Sequence, residues 1–217
     1  MAIEIGSKNK LNDNLILNAA LFNYNYKDYQ VITQDPNNFT ESLISNAEDV
    51  DFFGAELSLQ YINKGLKLTA NASYLSAKFG SNTTIFDSTV GRTVDVSDLN
   101  LKKAPEWTGS LSAAYEWNAP KGAVNLRGYA YASSDFNLDF TPLNNSQGER
   151  IDHQTGYARV DLSLSYTHNT TDNLVELYVK NAADNQIRTG FSGISSGFVT
   201  YRYDAPRTYG VRFKLNF

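Results

Sequence analysis

Apolar and polar residues alternate along most of the chain with a period of two, which predicts β-strands with one apolar and one polar face. In 53–61, Phe53, Ala55, Leu57, Leu59 and Tyr61 share one face, and Gly54, Glu56, Ser58 and Gln60 the other. From Leu66 the apolar face is Leu66, Leu68, Ala70, Ala72 and Tyr74. From Trp107 it is Trp107, Gly109, Leu111, Ala113, Tyr115 and Trp117. The same pattern recurs in Ala158, Val160, Leu162, Leu164 and Tyr166, and again in Tyr209, Val211, Phe213, Leu215 and Phe217. Residues 2–8, 124–133 and 173–180 predict less regular strands. Residues 14–31 read as one long strand whose phase slips near Ala19–Leu21, where a bulge would reconcile the two halves. The total is about nine strands and no helix.

The connections alternate in length. Tight turns at 11–13, 63–65, 119–122 and 169–172 follow the odd strands; long polar loops at about 32–50, 80–104, 137–154 and 183–205 follow the even ones. Four structureless loops of that size are rare in compact domains. Short turns on one rim and long loops on the other are the habit of outer-membrane barrels, whose short turns are periplasmic. All five prolines fall in connections or at strand starts, where no ladder donor is lost.

Composition narrows the alternatives. No cysteine occurs among the 217 residues, which excludes disulfides, Cys-ligated metals and thiol nucleophiles. The net charge is −4, without the basic excess of a nucleic-acid binder. No apolar run approaches the ~18 residues of a spanning helix, and Met1-Ala2-Ile3-Glu4-Ile5 lacks the basic end and apolar run of a signal peptide. A β-barrel escapes these exclusions, because only alternate residues meet lipid. Charges on the polar faces suit a lumen and a soluble surface equally. The aromatic rings decide: Tyr61, Tyr74, Trp107, Tyr115, Trp117, Tyr166, Tyr209 and Phe217 lie at the ends of apolar faces with small aliphatics between, as two interfacial girdles require.

Several segments resemble TonB-dependent outer-membrane receptors. Ala205-Pro206-Arg207-Thr208-Tyr209, leading into Val211, Phe213, Leu215 and Phe217, resembles the last barrel strand of that family. Leu101-Lys102-Lys103-Ala104-Pro105-Glu106-Trp107-Thr108 resembles its "APEWT" strand start. Phe22, Tyr24, Tyr26, Lys27, Asp28 and Tyr29 resemble its aromatic strand ending in "YKD". Val179-Lys180-Asn181-Ala182-Ala183-Asp184-Asn185 resembles its "V-x-N-L-F-D" stretch, with Ala182-Ala183 in place of Leu-Phe. The resemblance covers roughly 2–217 and corresponds to the C-terminal part of a receptor barrel, without signal peptide, TonB-contacting box or plug domain. The expected fold is therefore all-β: about nine antiparallel strands of an up-and-down transmembrane barrel, an incomplete part of a 22-stranded one, which would need on the order of 500 residues. Met1 then marks a fragment start, and Ile3 and Ile5 lie on a strand missing its outer neighbour, an edge open to pairing.

What the resemblance implies is a non-enzymatic importer in the bacterial outer membrane for a scarce ligand such as a ferric siderophore. Its partners would be lipid, TonB and the barrel-assembly machinery. Tyr209, Phe213 and Phe217 would form the terminal strand that the machinery reads, with the Phe217 ring at the periplasmic interface. Two other readings stay open: a complete small outer-membrane barrel acting as pore or adhesin, and a soluble β-sandwich binding module.

Catalytic and metal chemistry find little support. Glu149, Arg150, Asp152 and His153 suggest a metal or base cluster, but two ligands in one loop fall short of a site and a solvated loop is the ordinary reading. Asp161 beside Arg159 has the form of a general acid held by a cation, or, more ordinarily, of a lumenal charge pair. Ser110, Ser112, Ser163 and Ser165 have no His–Asp partners, and no cofactor motif occurs. Ligand contacts are expected from the long loops: Arg92, Arg150, Arg188 and Arg202 suit an anionic chelate, and Phe198, Tyr201 and Tyr203 suit stacking, unless all simply decorate the surface. The loop lengths predict that protease added to intact cells carrying the full receptor cuts within 80–104 or 137–154. Cleavage confined to the tight turns would overturn this orientation.

Overall fold

The computed structural model describes residues 1–35, 37–47, 49–87, 90–140, 143–193 and 198–216, all strand, turn or irregular, without helix. The strands are β1 (Ala2–Lys10), β2 (Leu15–Tyr26), β3 (Gln30–Asp35), β4 (Asn38–Asn46), β5 (Val50–Asn63), β6 (Leu66–Phe79), β7 (Thr84–Asp87) and β8 (Arg92–Asp95). They continue with β9 (Trp107–Ala119), β10 (Gly122–Ser133), β11 (Phe136–Asn137), β12 (His153–Gln154), β13 (Tyr157–His168), β14 (Leu174–Lys180), β15 (Arg188–Gly193), β16 (Val199–Tyr203) and β17 (Thr208–Lys214). Nine of them form one antiparallel meander in the order β1-β2-β5-β6-β9-β10-β13-β14-β17. Among the described residues β1 and β17 are open edges, so the sheet does not close on itself.

The long connections are not structureless. Each carries a two-stranded hairpin of its own: β3–β4, β7–β8, β11–β12 and β15–β16. Short β-forming runs such as Val31-Ile32-Thr33 and Leu43-Ile44 made this possible, but the polar residues around them hid the pattern. The long strand expected over 14–31 also divides. β2 ends at Tyr26, Asp28 turns the chain with φ 53°, and β3 begins at Gln30.

No bulge occurs near Ala19–Leu21. The register of β2 is unbroken against both neighbours, from Ala2↔Tyr24 to Lys10↔Ile16 and from Leu15↔Tyr61 to Tyr26↔Val50. Leu15, Leu17, Ala19 and Leu21 therefore lie on the apolar face, and Phe22, Tyr24 and Tyr26 on the polar one. The phase slip was only apparent, because aromatic residues occupy the polar face. The Phe22 ring lies over Gly54, where a Cβ would come within 2.2 Å of it, and stacks on Tyr24 at 5.0 Å. Tyr178 covers Gly210 in the same way. Glycine is required at both places because a ring takes the space of the missing side chain.

The register carries the apolar pattern across the sheet as continuous rows. Leu17, Leu59, Ala70, Leu111, Ala130 and Val160 form one; Leu66, Tyr115, Leu126, Leu164, Leu177 and Val211 form another. Leu111 is 50% exposed and Leu177 53%, so no second layer covers this face. That excludes the sandwich reading, in which two sheets would hide these residues. The aromatic rings frame this uncovered face. Phe53, Tyr74 and Trp107 cluster at the loop end, with Tyr74–Trp107 at 4.8 Å, and Tyr115 and Trp117 stack at the turn end at 5.8 Å. The ten residue steps from Trp107 to Trp117 span about 33 Å along the strand. At a tilt of about 40° the rings stand about 25 Å apart, the height of an outer-membrane apolar band. Tyr209 and Phe213 point the same way from β17; Phe217 lies outside the described residues.

The one buried core of the described residues lies beyond this band. Val50, Ala77 and Phe79, from the loop ends of β5 and β6, join Val31, Ala47, Ile85, Val94, Val96, Leu101 and Phe140. Phe79 is 1% exposed, and burial of such a ring contributes about 1.5–3 kcal/mol. The backbone of 96–101 is tied to β6 through Phe79 N–H to Leu99 O (3.1 Å) and Leu101 N–H to Ala77 O (2.9 Å).

Opposite charge tolerance on the two faces is the expected consequence. Leu111→Arg, at mid-band on the apolar face, should cost about 2–4 kcal/mol, whereas Ser112→Arg, on the polar face, should cost less than about 1 kcal/mol. Denaturant titration of the full receptor in detergent, read by heat-modifiable gel mobility, measures both. Equal losses would contradict the assignment of faces.

Candidate functional site

The hairpins β11–β12 and β15–β16 meet at the loop end and enclose a cleft of about 360 Å³. Its walls include Glu149, Arg150, His153, Gln154, Arg188 and Tyr203. Its floor is rigid for a local reason. Asp152 is fully buried and binds Arg150 twice, Nε to Oδ1 and Nη2 to Oδ2, both at 2.8 Å. Arg150 Nη2 also donates to Asn137 Oδ1 at 3.1 Å, and Asp152 Oδ1 accepts the Leu143 N–H at 3.0 Å. The hydrogen bonds that Arg150 donates to Asp152 push its guanidinium further up from its ordinary pKa. Residues 150–152 are thus a packed polar knot, not the solvated loop expected from the composition of 149–153, while Glu149 stays exposed. Among the described residues no three possible metal ligands come together.

Arg188 differs from Arg150. Its N–H donates to Gln154 Oε1 at 2.6 Å, and its Nη1 reaches the His153 carbonyl at 3.3 Å. The guanidinium carbon lies 4.7 Å from the centre of the Tyr201 ring. Among the described residues it forms no ion pair, so its charge remains available at the cleft. Tyr201 stands 5.7 Å from Phe191 and 6.2 Å from Tyr203. The arrangement offers one uncompensated cation, a row of rings and several amide and hydroxyl groups, which is chemistry for a flat or chelated anion.

Of the seven residues expected to touch ligand, the fold places Arg150, Arg188 and Tyr203 on this cleft, with Tyr201 behind them against Arg188. Arg202 follows on β16 but reaches across the other face of the hairpin toward Gly190. Phe198 is on the same hairpin and 73% exposed. Arg92 stands apart on β8, opposite Asp87. Gln154, Thr155 and Gln186 join the cleft without having stood out in the sequence, because ordinary loop residues acquire a place only from hairpin pairing.

Beneath the cleft a buried clasp fixes the last hairpin. Asn181, with no exposure, receives its position from its N–H to Asp161 Oδ1 at 2.8 Å. Its side chain donates to Asn185 O (3.0 Å) and Ala205 O (3.2 Å) and accepts the Asn185 N–H (3.1 Å). Arg159 binds Asp161 at 3.2 Å and Asp204 at 2.5 Å. The Arg159–Asp161 pair belongs to this lumenal network, with no arrangement for acid catalysis beside it. β13, the start of the last loop and its return to β17 are joined in one network.

Comparison with known proteins agrees with this geometry. The family model described as "TonB dependent receptor-like, beta-barrel" matches residues 2–185. No curated protein sequence matches the chain. Among solved structures, the ferric yersiniabactin uptake receptor FyuA from Yersinia pestis is 21% identical, with a TM-score of 0.76, over 100% of this chain and 29% of that one. The siderophore receptor PiuA from Acinetobacter baumannii is 21% identical, with a TM-score of 0.67, over 97% and 27%. The FrpB iron transporter from Neisseria meningitidis is 17% identical, with a TM-score of 0.63, over 98% and 30%. At these identities the likeness is one of fold, and the chain spans less than a third of each receptor's length.

Loss of the clasp should loosen the last hairpin and leave the barrel wall intact. Asn181→Ala removes three side-chain hydrogen bonds, two to carbonyls of Asn185 and Ala205 and one from the Asn185 N–H, at about 0.5–1.5 kcal/mol each. Protease cleavage within 183–205 on intact cells should therefore rise on the order of tenfold or more, with unchanged heat-modifiable mobility of the barrel. Unchanged cleavage would show that the clasp does not hold the hairpin.

Proposed function

The chain belongs to the TonB-dependent receptor β-barrel family, and from that premise we propose that it forms the ligand-bearing side of an importer for a scarce anionic metal chelate of the ferric-siderophore class. Its place is the outer membrane of a Gram-negative bacterium, and its family consists of receptors and transporters, not enzymes. The observation that carries the reading is Arg188, a cation without a carboxylate partner among the described residues, held over Tyr201 at the mouth of a polar cleft. The names of the similar solved receptors, which include a ferric yersiniabactin uptake receptor and an iron transporter, point to the same ligand class. In this reading Arg188 attracts and orients the chelate, Tyr201 and Tyr203 stack on its flat parts, and Arg150 acts through the knot it forms with Asp152. Phe198, Arg202 and Arg92 approach from the surrounding hairpins.

The remaining partners follow from the family. The full-length receptor would draw energy through TonB, the apolar face would meet lipid, and the assembly machinery would read the strand bearing Tyr209, Phe213 and Phe217. Tyr209 and Phe213 are both outward-facing and exposed on the edge strand β17, as a strand offered for recognition requires.

The test is uptake in a host stripped of its other ferric receptors and supplied with the full-length receptor. Growth in iron-poor medium is compared on ferric citrate, a ferric catecholate and a ferric hydroxamate. At least one should support growth only when the receptor is present. For that chelate, Arg188→Ala should raise the concentration giving half-maximal uptake on the order of tenfold or more, at normal surface abundance. Receptor-independent growth on all three would overturn the importer reading for this ligand class, and unchanged uptake by Arg188→Ala would remove the cleft from it.

A further inference from the structure

The polar face of the sheet carries a charge that the composition conceals. The whole chain has a net charge of −4. Yet on the polar faces of the nine sheet strands eight cations stand against five carboxylates, namely Glu4, Glu56, Glu116, Asp161 and Glu176. The cations are unevenly placed. On the wall formed by β10, β13, β14 and β17, each successive polar row holds one. Arg159 occupies the first row, and Lys180, one step beyond the Leu162–Val179 pair, stands level with Asp161. Arg127 shares the row of Ser163, Tyr178 and Gly210. Arg212 shares that of Ser165 and Glu176, and Lys214 that of Thr167 and Leu174.

Only two of the five are neutralised among the described residues: Arg159 by Asp161 and Asp204, and Arg212 by Glu176 at 2.6 Å. Arg127 is held by a neutral group, donating to Asn125 Oδ1 at 2.8 Å. Arg127, Lys180 and Arg212 line a trough of about 260 Å³ on this wall, together with Tyr178 and the carboxylates Asp161 and Glu176, which pair with Arg159 and Arg212. Successive rows lie two residues apart, about 6.6–6.8 Å along the strand. That is shorter than the screening length of about 8 Å at physiological ionic strength, so an anion leaving one row is already in the field of the next. At the loop end the series starts from Arg159, whose partner Asp204 precedes the last strand and follows the hairpin that bears Tyr201 and Tyr203.

We infer that this wall is a cationic track along which a small multiply charged anion passes from the loop-end cleft toward the turn side of the barrel. The inference rests on the importer reading for its cargo, but the track is tested without it. An alternative occupant, an acidic protein segment seated permanently on the same wall, would leave the cations covered. A passing solute requires them to be reached.

The absence of cysteine in this chain allows a direct test in the full-length receptor, expressed in cells and corrected for background labelling. Ser163→Cys places a thiol on the polar face between Arg127 and Tyr178. Its reaction rates with sulfonatoethyl methanethiosulfonate, an anion, and trimethylammonioethyl methanethiosulfonate, a cation, are compared after division by their rates with free thiol. Energised cells should show an anion preference on the order of tenfold. The preference should vanish when Arg127→Gln, Lys180→Gln and Lys214→Gln are combined, with heat-modifiable mobility confirming that the barrel folds. Equal rates, a cation preference, or a preference that survives the triple substitution would overturn the track. So would an unreactive thiol in energised cells, which would assign the wall to a permanent occupant. Labelling that behaves as expected in a receptor that imports none of the ferric chelates would leave the track standing and remove only its presumed cargo.

Discussion

A strand inside a lipid bilayer has no water to satisfy its N–H and C=O groups, so each must pair with a neighbouring strand. Everything else in this chain follows from that pairing. The nine-stranded meander satisfies the backbone laterally, and side chains are then free to sort by face: lipid requires apolar groups on one, and a lumen permits polar ones on the other. No core is needed between layers. Leu111, Leu177 and Val211 look like misplaced core residues on a protein in water, whereas a bilayer would be their proper solvent. The buried hydrophobic cluster of the described residues arises where the strands rise past the aromatic girdle. There Val50, Ala77 and Phe79, on the face that is polar lower down, turn apolar and collect the hairpins.

The membrane-spanning part was legible because a single variable, the alternation of hydrophobicity, determines it. The tight turns and girdles at Trp107 and Trp117 lay open for the same reason. What escaped was whatever did not obey that variable. Phe22, Tyr24 and Tyr26 are apolar by residue type but lie on the lumenal face, where Phe22 fills the space above Gly54 and Tyr24 hydrogen-bonds Glu4 at 2.8 Å. A pattern that sorts residues only by polarity reads such rings as a change of phase. The hairpins escaped because their strands are short and their pairing is fixed by register within the loop, as between Ile32 and Ile44.

The cleft was half legible, for a related reason. Cationic and aromatic residues in long loops are easily singled out, but which of them meet depends on how the hairpins fold together. Asp152 illustrates the limit. Its carboxylate resembled a solvent-exposed loop acid, and only the fold shows it fully buried and committed twice to Arg150. Two arginines of equal chemical promise thereby acquire different electrostatic states. One is neutralised within the floor, and the other keeps its charge over Tyr201.

The clasp around Asn181 connects these two regimes. Strands in the band are held by their neighbours along their whole length, whereas a loop-end hairpin is held only where it leaves the wall. A hairpin pivoting at its base would carry Arg188 and Tyr201 away from Gln154 and Arg150, and the cleft would exist only intermittently. Asn181 removes that freedom by binding the outgoing chain at Asn185 and the returning chain at Ala205, while Asp161 anchors it to β13. The same carboxylate binds Arg159, which in turn holds Asp204. A short polar network at the rim therefore transfers the rigidity of the paired wall to the loop end. Its residues are few and polar, and they are spread over 159–205, so neither hydrophobic period nor local composition points to them.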